Sequence, residues 1–408
     1  MVKKVVCFSL GGHIAPQNVS FRRLEERLSP HGYVLYGAED AFKAFETGNV
    51  YELNNGVIPK RFAGFYAGAG RASLTKKDGS IDERKLEQAV NFFKKGEFDV
   101  AIGSGGDDHG KQMDILRKEL EGKVRVYVIN KTMDNDLGGK DGEDGAPYTD
   151  FTSGFHTAVN VGVQKIHEQF SGAWTNNVAY LIGHFGRETN WVGAALAYWG
   201  LADKIIYGEL PENHLGHSIE KINELILEAQ DKNEKQYGRR FAMIVVPEGT
   251  RISGVQHIAP GLIDAHGHHK LQPEVLVANL KTELKKRFNT DVQTVGITYE
   301  MRNSPPTPME MVLAECSADA IADAIIKGDE NGLESVFKIE DEASFTRTAP
   351  IAKVSQKRYA GYYPKQLINP KTFEVTDEIG KYYEHLFGRR KDLSKILPSK
   401  PRVVNVFK

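Results

Sequence analysis

Short apolar runs rich in valine and isoleucine recur along the chain, separated by longer stretches with helical periodicity. The runs are Val5–Leu10, Phe98–Ile102, Val124–Ile129, Val178–Ile182, Lys204–Ile206, Phe241–Val246 and Val292–Ile297. Runs that are apolar on both faces are typical of buried parallel strands. Between them, apolar residues spaced three and four apart predict helices at Ile81–Lys95, Gly154–Phe170, Ile219–Asn233 and Pro273–Arg287. This alternation predicts an α/β fold with mainly parallel sheets.

Several predicted strands end directly in a glycine-rich or polar cluster. The clusters are Gly11-Gly-His13, Gly103–Asp108, Asn130–Asp136 and Pro247–Thr250. Ligands of open α/β sheets bind beyond the carboxyl ends of the strands. We therefore expect these clusters to form one ligand-binding crevice.

Composition excludes several classes of protein. The 408 residues include 40% apolar and 26% charged positions, which is typical of a globular chain with two or three cores. A formal net charge of −1 gives no overall field that favours nucleic acid or an anionic membrane. The two cysteines, Cys7 and Cys316, suggest neither a disulfide framework nor a zinc cluster, so a reducing cytoplasm is expected. We expect no membrane span and no signal peptide, and interpret the apolar N-terminus as a first strand.

The Gly103–Asp108 cluster has the residue types of a phosphate site. Glycines after a buried strand let backbone N–H groups approach an anion, and a carboxylate in the same turn can hold Mg²⁺. The alternative interpretation is a glycine-rich turn with an acidic helix cap.

The Lys131–Asp136 cluster follows the next predicted strand. It offers a cation for phosphate, the Thr132 hydroxyl, and two carboxylates, one of which can accept the proton of an attacking hydroxyl. Phosphoryl transfer needs little beyond such positioning and charge neutralisation. A helix-capping turn would explain one such cluster, but two on consecutive strands favour phosphate chemistry.

Six motifs in order resemble the phosphofructokinase family, from about residue 5 to residue 330. They are Gly105-Gly-Asp-Asp108, Lys131-Thr-Met-Asp-Asn-Asp136, Gly154-Phe-His-Thr-Ala-Val-Asn160, Phe185-Gly-Arg-Glu-Thr-Asn-Trp191, Pro247-Glu-Gly249 and Tyr299-Glu-Met-Arg302. The resemblance implies two Rossmann-like three-layer domains. The donor domain is expected at 1–153 plus roughly 275–312, the sugar-phosphate domain at 154–274 plus roughly 313–345, and a peripheral extension at 346–408.

The resemblance also implies roles for the matched residues. Asp134 corresponds to the base that activates the 1-hydroxyl of fructose 6-phosphate, and Asp107 to the Mg²⁺ ligand. The implied catalytic residues are Asp134, Lys131, Thr132 and Asp136, and the implied donor-binding residues are Gly12, Gly106, Asp107, Asp108 and Lys131. The implied substrate-binding residues are Thr132, Asp134, Gly186, Arg187, Glu248, Tyr299 and Arg302. Arginine suits phosphate at Arg187 and Arg302, since its planar fork binds two oxygens at once.

Asp108 and Lys131 favour pyrophosphate over ATP as the donor. ATP-dependent members usually carry glycine at the position of Asp108, where a carboxylate would crowd and repel the α-phosphate of ATP. Lys131 is shared with pyrophosphate-dependent members and supplies charge for the transferring group. The implied protein is a homo-oligomer, dimer or tetramer, with Mg²⁺ as cofactor. Its substrates are pyrophosphate and fructose 6-phosphate in a reversible reaction of glycolysis and gluconeogenesis.

Other interpretations and departures accompany this prediction. The alternatives are an ATP-dependent 6-phosphofructokinase, a kinase of another sugar phosphate such as sedoheptulose 7-phosphate, and a non-catalytic binding subunit, which the intact Asp134 and Asp136 disfavour. A Rossmann dehydrogenase is disfavoured because no Gly-x-Gly-x-x-Gly follows the first strand. The chain departs from the family pattern at the Gly11–Asn18 loop, His109, Val178, Gln293 and the long 138–150 loop. Arg71, Lys76 and Lys77 are either further phosphate ligands or solvated surface charges, and His266-Gly-His-His269 is interpreted as a solvated turn and not as a metal motif.

Overall fold

A computed structural model of the chain describes most of its residues. The described ranges are 2–54, 56, 58–137, 148–187, 189–208, 217–256, 258–263, 269–340, 343–354, 367–398 and 400. Residues 138–147 of the long 138–150 loop and the side chains of His266-Gly-His-His269 lie outside the described part of the chain.

The chain divides into two compact units, each built from separate segments. The first unit comprises 1–158, 263–268 and 302–359, and the second comprises 159–262, 269–301 and 360–408. Helices α5 (Phe155–Asn176) and α9 (Glu300–Asn303) contribute residues to both units.

A mainly parallel sheet forms the centre of the first unit, with seven strands among the described residues in the order β13-β12-β5-β4-β1-β2-β3. The strands are β1 (Lys3–Ser9), β2 (Tyr33–Ala38), β3 (Val50–Leu53), β4 (Val100–Gly105), β5 (Arg125–Asn130), β12 (Leu333–Glu340) and β13 (Ala343–Pro350). Strand β1 pairs in parallel with β2 and β4, so that Val5 lies opposite Leu35 and Val100. The two edge strands, β3 and β13, pair antiparallel with their neighbours.

Helices cover both faces of this sheet because alternate strand residues are apolar on both sides. Val6 and Phe8 belong to one buried cluster, whereas Val5 and Cys7 belong to another, as the period of two in a strand requires. The helices of the first unit are α1 (Gln17–Leu28), α2 (Ala44–Thr47), α3 (Glu83–Gly96), α4 (Asp107–Glu119), α10 (Pro308–Lys327) and α11 (Ile351–Val354). Residues of α3 and α4 pack into the first cluster and residues of α1 and α10 into the second, so this unit has three layers.

The second unit has a smaller parallel sheet, with four strands among the described residues in the order β11-β6-β8-β7. Its strands are β6 (Ala179–His184), β7 (Lys204–Ile205), β8 (Ala242–Pro247) and β11 (Val292–Ile297), and a separate pair comprises β9 (Ile258–Ile263) and β10 (His269–Leu271). The remaining helices are α6 (Asn190–Trp199), α7 (Ile219–Tyr237), α8 (Pro273–Phe288) and α12 (Glu378–Phe387). Apolar residues of β6, β8, α7 and α8 form one buried core.

All three tryptophans of the chain lie in the second unit. Trp174 packs near Phe241, with ring centroids 5.9 Å apart. Trp191 packs on Tyr383 at 5.8 Å, and Trp199 packs on Phe387 at 4.7 Å. Because Tyr383 and Phe387 belong to α12, this helix packs on the tryptophans of α6 in the second unit.

The predicted α/β class with mainly parallel sheets is confirmed, but the segment assignment differs from the expectation. Residues 275–301 belong to the second unit because β11 pairs with β6, whereas α10 and β12 pack on the first sheet. The extension expected from residue 346 is also divided, since β13 joins the first sheet and α12 the second unit. No helix within the described ranges has the length and apolar character needed to cross a membrane.

Candidate active site

The loops that follow β1, β4 and β5 lie together at the carboxyl edge of the first sheet. The Leu10 N–H donates to Ser104 O at 2.9 Å, and the Lys131 N–H donates to Gly105 O at 3.0 Å. The loop before α3 joins them, since the Gly11 N–H donates to Gly70 O at 2.8 Å. These bonds extend the parallel ladder by one residue, so the first functional residue after each strand has a fixed position.

Glycine at position 11 suits the left-handed backbone of the loop after β1, and Gly12 lies against two arginine side chains. Gly11 has φ +89°, and a Cβ there would lie 2.6 Å from Cε1 of His109. A Cβ on Gly12 would overlap the guanidinium of Arg302 and lie 3.5 Å from Nη2 of Arg71. Side chains from three separate segments therefore surround this loop.

Two carboxylates open helix α4. Asp107 and Asp108 are its first two residues, after Gly106 at the N-cap, where negative charge is favoured by the helix dipole. The Lys111 Nζ lies 3.5 Å from Asp107 Oδ2 and 3.7 Å from Asp108 Oδ1. The Asp107 side chain is 19% exposed and that of Asp108 is 40% exposed. Asp107 is thus the more enclosed of the two.

The oxygen donors of this edge fit Mg²⁺. Mg²⁺ prefers hard oxygen ligands and is usually held by one or two carboxylates together with substrate phosphates. The Asp107 carboxylate, in the first turn of α4, and the Thr132 hydroxyl, in the loop after β5, are donors of that kind. Within the described residues no group of three or more His, Cys, Asp or Glu side chains forms a cage for a metal ion. These residues therefore suit an Mg²⁺ ion that arrives with a phosphate ligand.

Lys131 is a buried cation held by backbone carbonyls. Its Nζ donates to Gly12 O at 2.6 Å and to Leu10 O at 3.1 Å, and the residue is only 5% exposed. Burial and, to a smaller extent, the positive charges of Arg302 and Arg71 together lower the pKa of Lys131 to about 7, against an opposing effect of Asp134. The cations Lys131, Arg71 and Arg302, which we call the cation cluster, are therefore close enough to interact strongly.

The loop after Lys131 holds Asp134 in a buried turn. The Asp134 N–H donates to the Thr132 hydroxyl at 3.1 Å, and that hydroxyl lies 3.5 Å from Asp136 Oδ1. Asn135 adopts a left-handed conformation with φ +57°, which asparagine tolerates better than most residues. Asp134 and Asp136 are 8% and 4% exposed, so both are largely enclosed.

A second loop cluster lies in the second unit, where Glu248 follows β8. Glu248 Oε1 accepts the N–H groups of Arg187 at 2.8 Å and of Gly186 at 3.3 Å. Arg187 has φ +53° and Gly186 has φ +140°, so the carboxylate stabilises a strained turn after β6. The Tyr299 ring, 61% exposed, packs edge-on against Phe185 of the same turn at 5.3 Å.

The structure thus groups the predicted site residues by unit. Gly12, Gly106, Asp107, Asp108 and the Lys131–Asp136 residues lie in the first unit, and Gly186, Arg187, Glu248 and Tyr299 lie in the second. Arg302, expected to act with Tyr299, lies beside Gly12 in the first unit. Arg71 joins the same cation cluster, although its sequence context indicated a surface charge equally well.

Comparisons with known proteins identify the family of the chain. The sequence profile of the family described as phosphofructokinase matches residues 4–325. The chain is 24% identical over 328 residues to a pyrophosphate–fructose 6-phosphate 1-phosphotransferase from Amycolatopsis methanolica, covering 78% of this chain and 86% of the relative. It is 26% identical over 342 residues to an ATP-dependent 6-phosphofructokinase from Chloroflexus aurantiacus, covering 80% and 85%.

Its fold is similar to that of a pyrophosphate-dependent phosphofructokinase from Marinobacter aquaeolei. The TM-score is 0.74 at 16% identity, covering 96% of this chain and 93% of the other. The fold is that of a doubly wound α/β protein. The chain belongs to the phosphofructokinase family, since the family profile matches most of its length.

Proposed function

We propose that the chain transfers a phosphoryl group from pyrophosphate to the 1-hydroxyl of fructose 6-phosphate, reversibly. The observation that carries this proposal is the cation cluster of Lys131, Arg71 and Arg302 beside the glycine-rich loop after β1. The mutual repulsion of these cations is relieved when a polyanion binds among them. Backbone N–H groups of the glycine-rich loops supply further donors to phosphate oxygens.

Asp134 is the base in this proposal. It accepts the proton of the 1-hydroxyl while the new P–O bond forms, and the bridging P–O bond of pyrophosphate breaks to release phosphate. Thr132 holds the Asp134 turn through its hydroxyl. Lys131 and Arg71 stabilise the negative charge of the transferring group.

Asp107 is the residue that we assign to Mg²⁺. When bound with the donor, Mg²⁺ neutralises charge on the phosphate oxygens. The N-terminal position of Asp107 on α4 keeps its carboxylate beside the Gly106 N-cap, where phosphate oxygens are expected to bind.

Arg187, Glu248 and Tyr299 are assigned to the sugar phosphate, as the family resemblance implies. The bonds from Gly186 and Arg187 to Glu248 support this assignment, because they hold the turn that carries the guanidinium. The position of Arg302 beside Gly12 supports a contact with the donor phosphates in addition to the implied contact with the 6-phosphate.

Asp108 supports pyrophosphate as the donor. Its carboxylate stands at the second position of α4, next to Asp107, where it would repel the inner phosphate of a nucleotide. ATP is the second candidate donor, because a relative named as ATP-dependent matches at 26% identity.

A coupled assay with fructose 6-phosphate, Mg²⁺ and either donor tests the proposal. We expect turnover with pyrophosphate and little with ATP, and loss of both in the control variant Asp134→Asn. Asp108→Gly, alone and with Lys131→Gly, is expected to weaken pyrophosphate use and to admit some ATP. Turnover of the unaltered chain with ATP alone would reject the donor assignment, and unchanged preference in the double variant would reject the role of Asp108.

A further inference from the structure

Glu310 is a buried carboxylate outside the residues assigned above. It lies in the first turn of α10 and has no exposed surface. Its oxygens accept the Gly154 N–H at 2.8 Å, the Thr157 N–H at 3.0 Å and the Ser153 hydroxyl at 3.3 Å. The side chain therefore binds the N-terminal turn of α5, which is not in its own helix.

This arrangement departs from the usual capping of a helix such as α10. Thr307 and Glu310 have the spacing of a capping box, in which the glutamate would accept the N–H of the N-cap residue. The Thr307 hydroxyl does accept the Glu310 N–H at 3.2 Å, but the Thr307 N–H donates to the Thr157 hydroxyl at 3.2 Å. Glu310 is thus diverted from its own helix to the segment before α5.

Burying the Glu310 carboxylate has a free-energy cost, because the charged form loses its hydration. Burial raises the pKa of Glu310, and hydrogen bonds from Gly154 and Thr157 oppose the rise. Helix α5 gains from the contact, since a negative charge at its N-terminus is favourable. The free-energy cost of burying this carboxylate is therefore offset by the hydrogen bonds that fix the segment before α5.

The segment that Glu310 holds, residues 152–154, is hydrogen-bonded to the loop that carries Asp134. The Thr132 N–H donates to Ser153 O at 3.1 Å, and Thr132 and Gly154 form a parallel bridge. The Thr152 hydroxyl lies 2.6 Å from Thr132 O and 3.2 Å from Asn135 Oδ1. The residues on both sides of Met133 and Asp134 are therefore bonded to residues 152–154.

We propose that Glu310 is a positioning residue for phosphoryl transfer, which fixes the Asp134 loop through residues 152–154. This inference rests on the proposed role of Asp134 as the base. Glu310 touches neither substrate in this proposal. Its carboxylate binds the Gly154 N–H, and residues Ser153 and Gly154 pair with Thr132. The Thr132 hydroxyl in turn accepts the N–H of Asp134. A base displaced by a fraction of an ångström transfers protons poorly although the substrates still bind.

Only a carboxylate satisfies all the donors around this position. Each oxygen of Glu310 accepts a backbone N–H, one from Gly154 and one from Thr157. A glutamine has one acceptor oxygen, and its NH₂ group would face one of these N–H groups. Glu310→Gln therefore loses one of the two bonds at nearly unchanged side-chain volume, whereas Glu310→Asp keeps the charge on a shorter arm.

Steady-state kinetics of these variants test the inference. We expect Glu310→Gln to lower kcat by about 10- to 100-fold with KM for both substrates changed by less than about threefold, since misplacement affects the reacting geometry. Glu310→Asp is expected to recover part of kcat. Asp203→Asn is the matched control, because buried Asp203 also accepts a backbone N–H, from Met243 at 2.7 Å, but lies in the second unit.

Hydrogen–deuterium exchange gives a readout that does not depend on activity. In Glu310→Gln we expect faster exchange in peptides that cover 130–137 and 152–158, and no such change in Asp203→Asn. A normal kcat with normal exchange in these peptides would overturn the inference, and so would equal losses of kcat in the glutamine variant and the control. If Glu310→Gln does not fold, the same comparison is made with Glu310→Asp. Absence of turnover in the unaltered chain with either donor would reject the proposed function instead, while the exchange result still tests the coupling.

Discussion

Lys131 in the first unit and Glu248 in the second use opposite charges for a similar task. Each follows a central strand and binds the backbone of a loop after another strand of its sheet. The Lys131 ammonium donates to the carbonyls of Leu10 and Gly12, whereas the Glu248 carboxylate accepts the N–H groups of Gly186 and Arg187. A buried cation holds one loop and a buried anion holds the other.

The difference in sign has a chemical consequence. In the first unit, Lys131 adds to the positive charge of Arg71 and Arg302. This combined charge favours the binding of an anion at the loop that Lys131 holds. In the second unit, Glu248 places its negative charge on backbone N–H groups and fixes the turn that carries the Arg187 guanidinium. In the proposed function Lys131 therefore both supports a loop and stabilises the charge of the transferring group, whereas Glu248 mainly supports the loop assigned to the sugar phosphate.

Replacing Lys131 should have the largest effect. We expect Lys131→Met to lower kcat/KM for pyrophosphate by about 10²- to 10³-fold, because both the loop bonds and the stabilising charge are lost. The matched control is Lys204→Met in the second unit, where another buried lysine donates to a backbone carbonyl, Thr372 O, at 2.7 Å. Similar kinetic losses in both variants would show that Lys131 acts only as a structural support.

Replacing Glu248 should have a smaller and more selective effect. Both N–H groups of the turn bind Oε1, so Glu248→Gln can keep an acceptor for them but loses the negative charge that strengthens both bonds. We therefore expect KM for fructose 6-phosphate to rise by about tenfold. KM for pyrophosphate should stay within about twofold, since the donor contacts belong to Lys131 and its neighbours. Steady-state titration of each substrate, with the other substrate at a saturating concentration, separates these two KM values. An equal rise in both would contradict the assignment of the Glu248 loop to the sugar phosphate alone.

The smallest expected effect is the uptake of a proton by Lys131 when pyrophosphate binds. The pKa of Lys131 is lowered to about 7 from its ordinary 10.5, so the unfolded chain binds this proton more strongly than the folded one. The contribution of Lys131 to stability therefore increases as pH rises from about 7 towards 10.5. A bound anion favours the ammonium, so pyrophosphate binding near pH 8 should take up a proton, by up to about one more than in Lys131→Met. Calorimetric titration in buffers of different ionisation enthalpy measures this uptake, and equal values in both proteins would contradict the assignment.

Strands were predicted well from the sequence because their signal is local. The apolar runs at Val5, Phe98, Val124 and Phe241 correspond to β1, β4, β5 and β8. The polar residues that follow these strands could be predicted as loop residues for the same reason, since a buried parallel strand must end before a polar turn. Strand β3, Val50–Leu53, is short, mostly exposed and at a sheet edge, so it carries no comparable apolar run.

Long-range pairing was not predictable in the same way. Nothing in the sequence of α10 indicates which sheet this helix covers, because its apolar stripe would suit either core. The position of Arg302 beside Gly12 and the diversion of Glu310 to Gly154 depend equally on contacts between residues far apart in sequence. The Thr307-x-x-Glu310 pattern was the available signal for Glu310, but it indicates a helix start and not a support for another segment.

The location of the tryptophans has a spectroscopic consequence. Because Trp174, Trp191 and Trp199 all belong to the second unit, tryptophan fluorescence reports on that unit alone. Tyr127 and Tyr33 are buried in the first unit, so a signal that includes tyrosine also samples the first sheet. Tryptophan emission thus follows the second unit, whereas emission that includes tyrosine follows both units. A difference between the two signals during unfolding therefore reports on the first unit without a label.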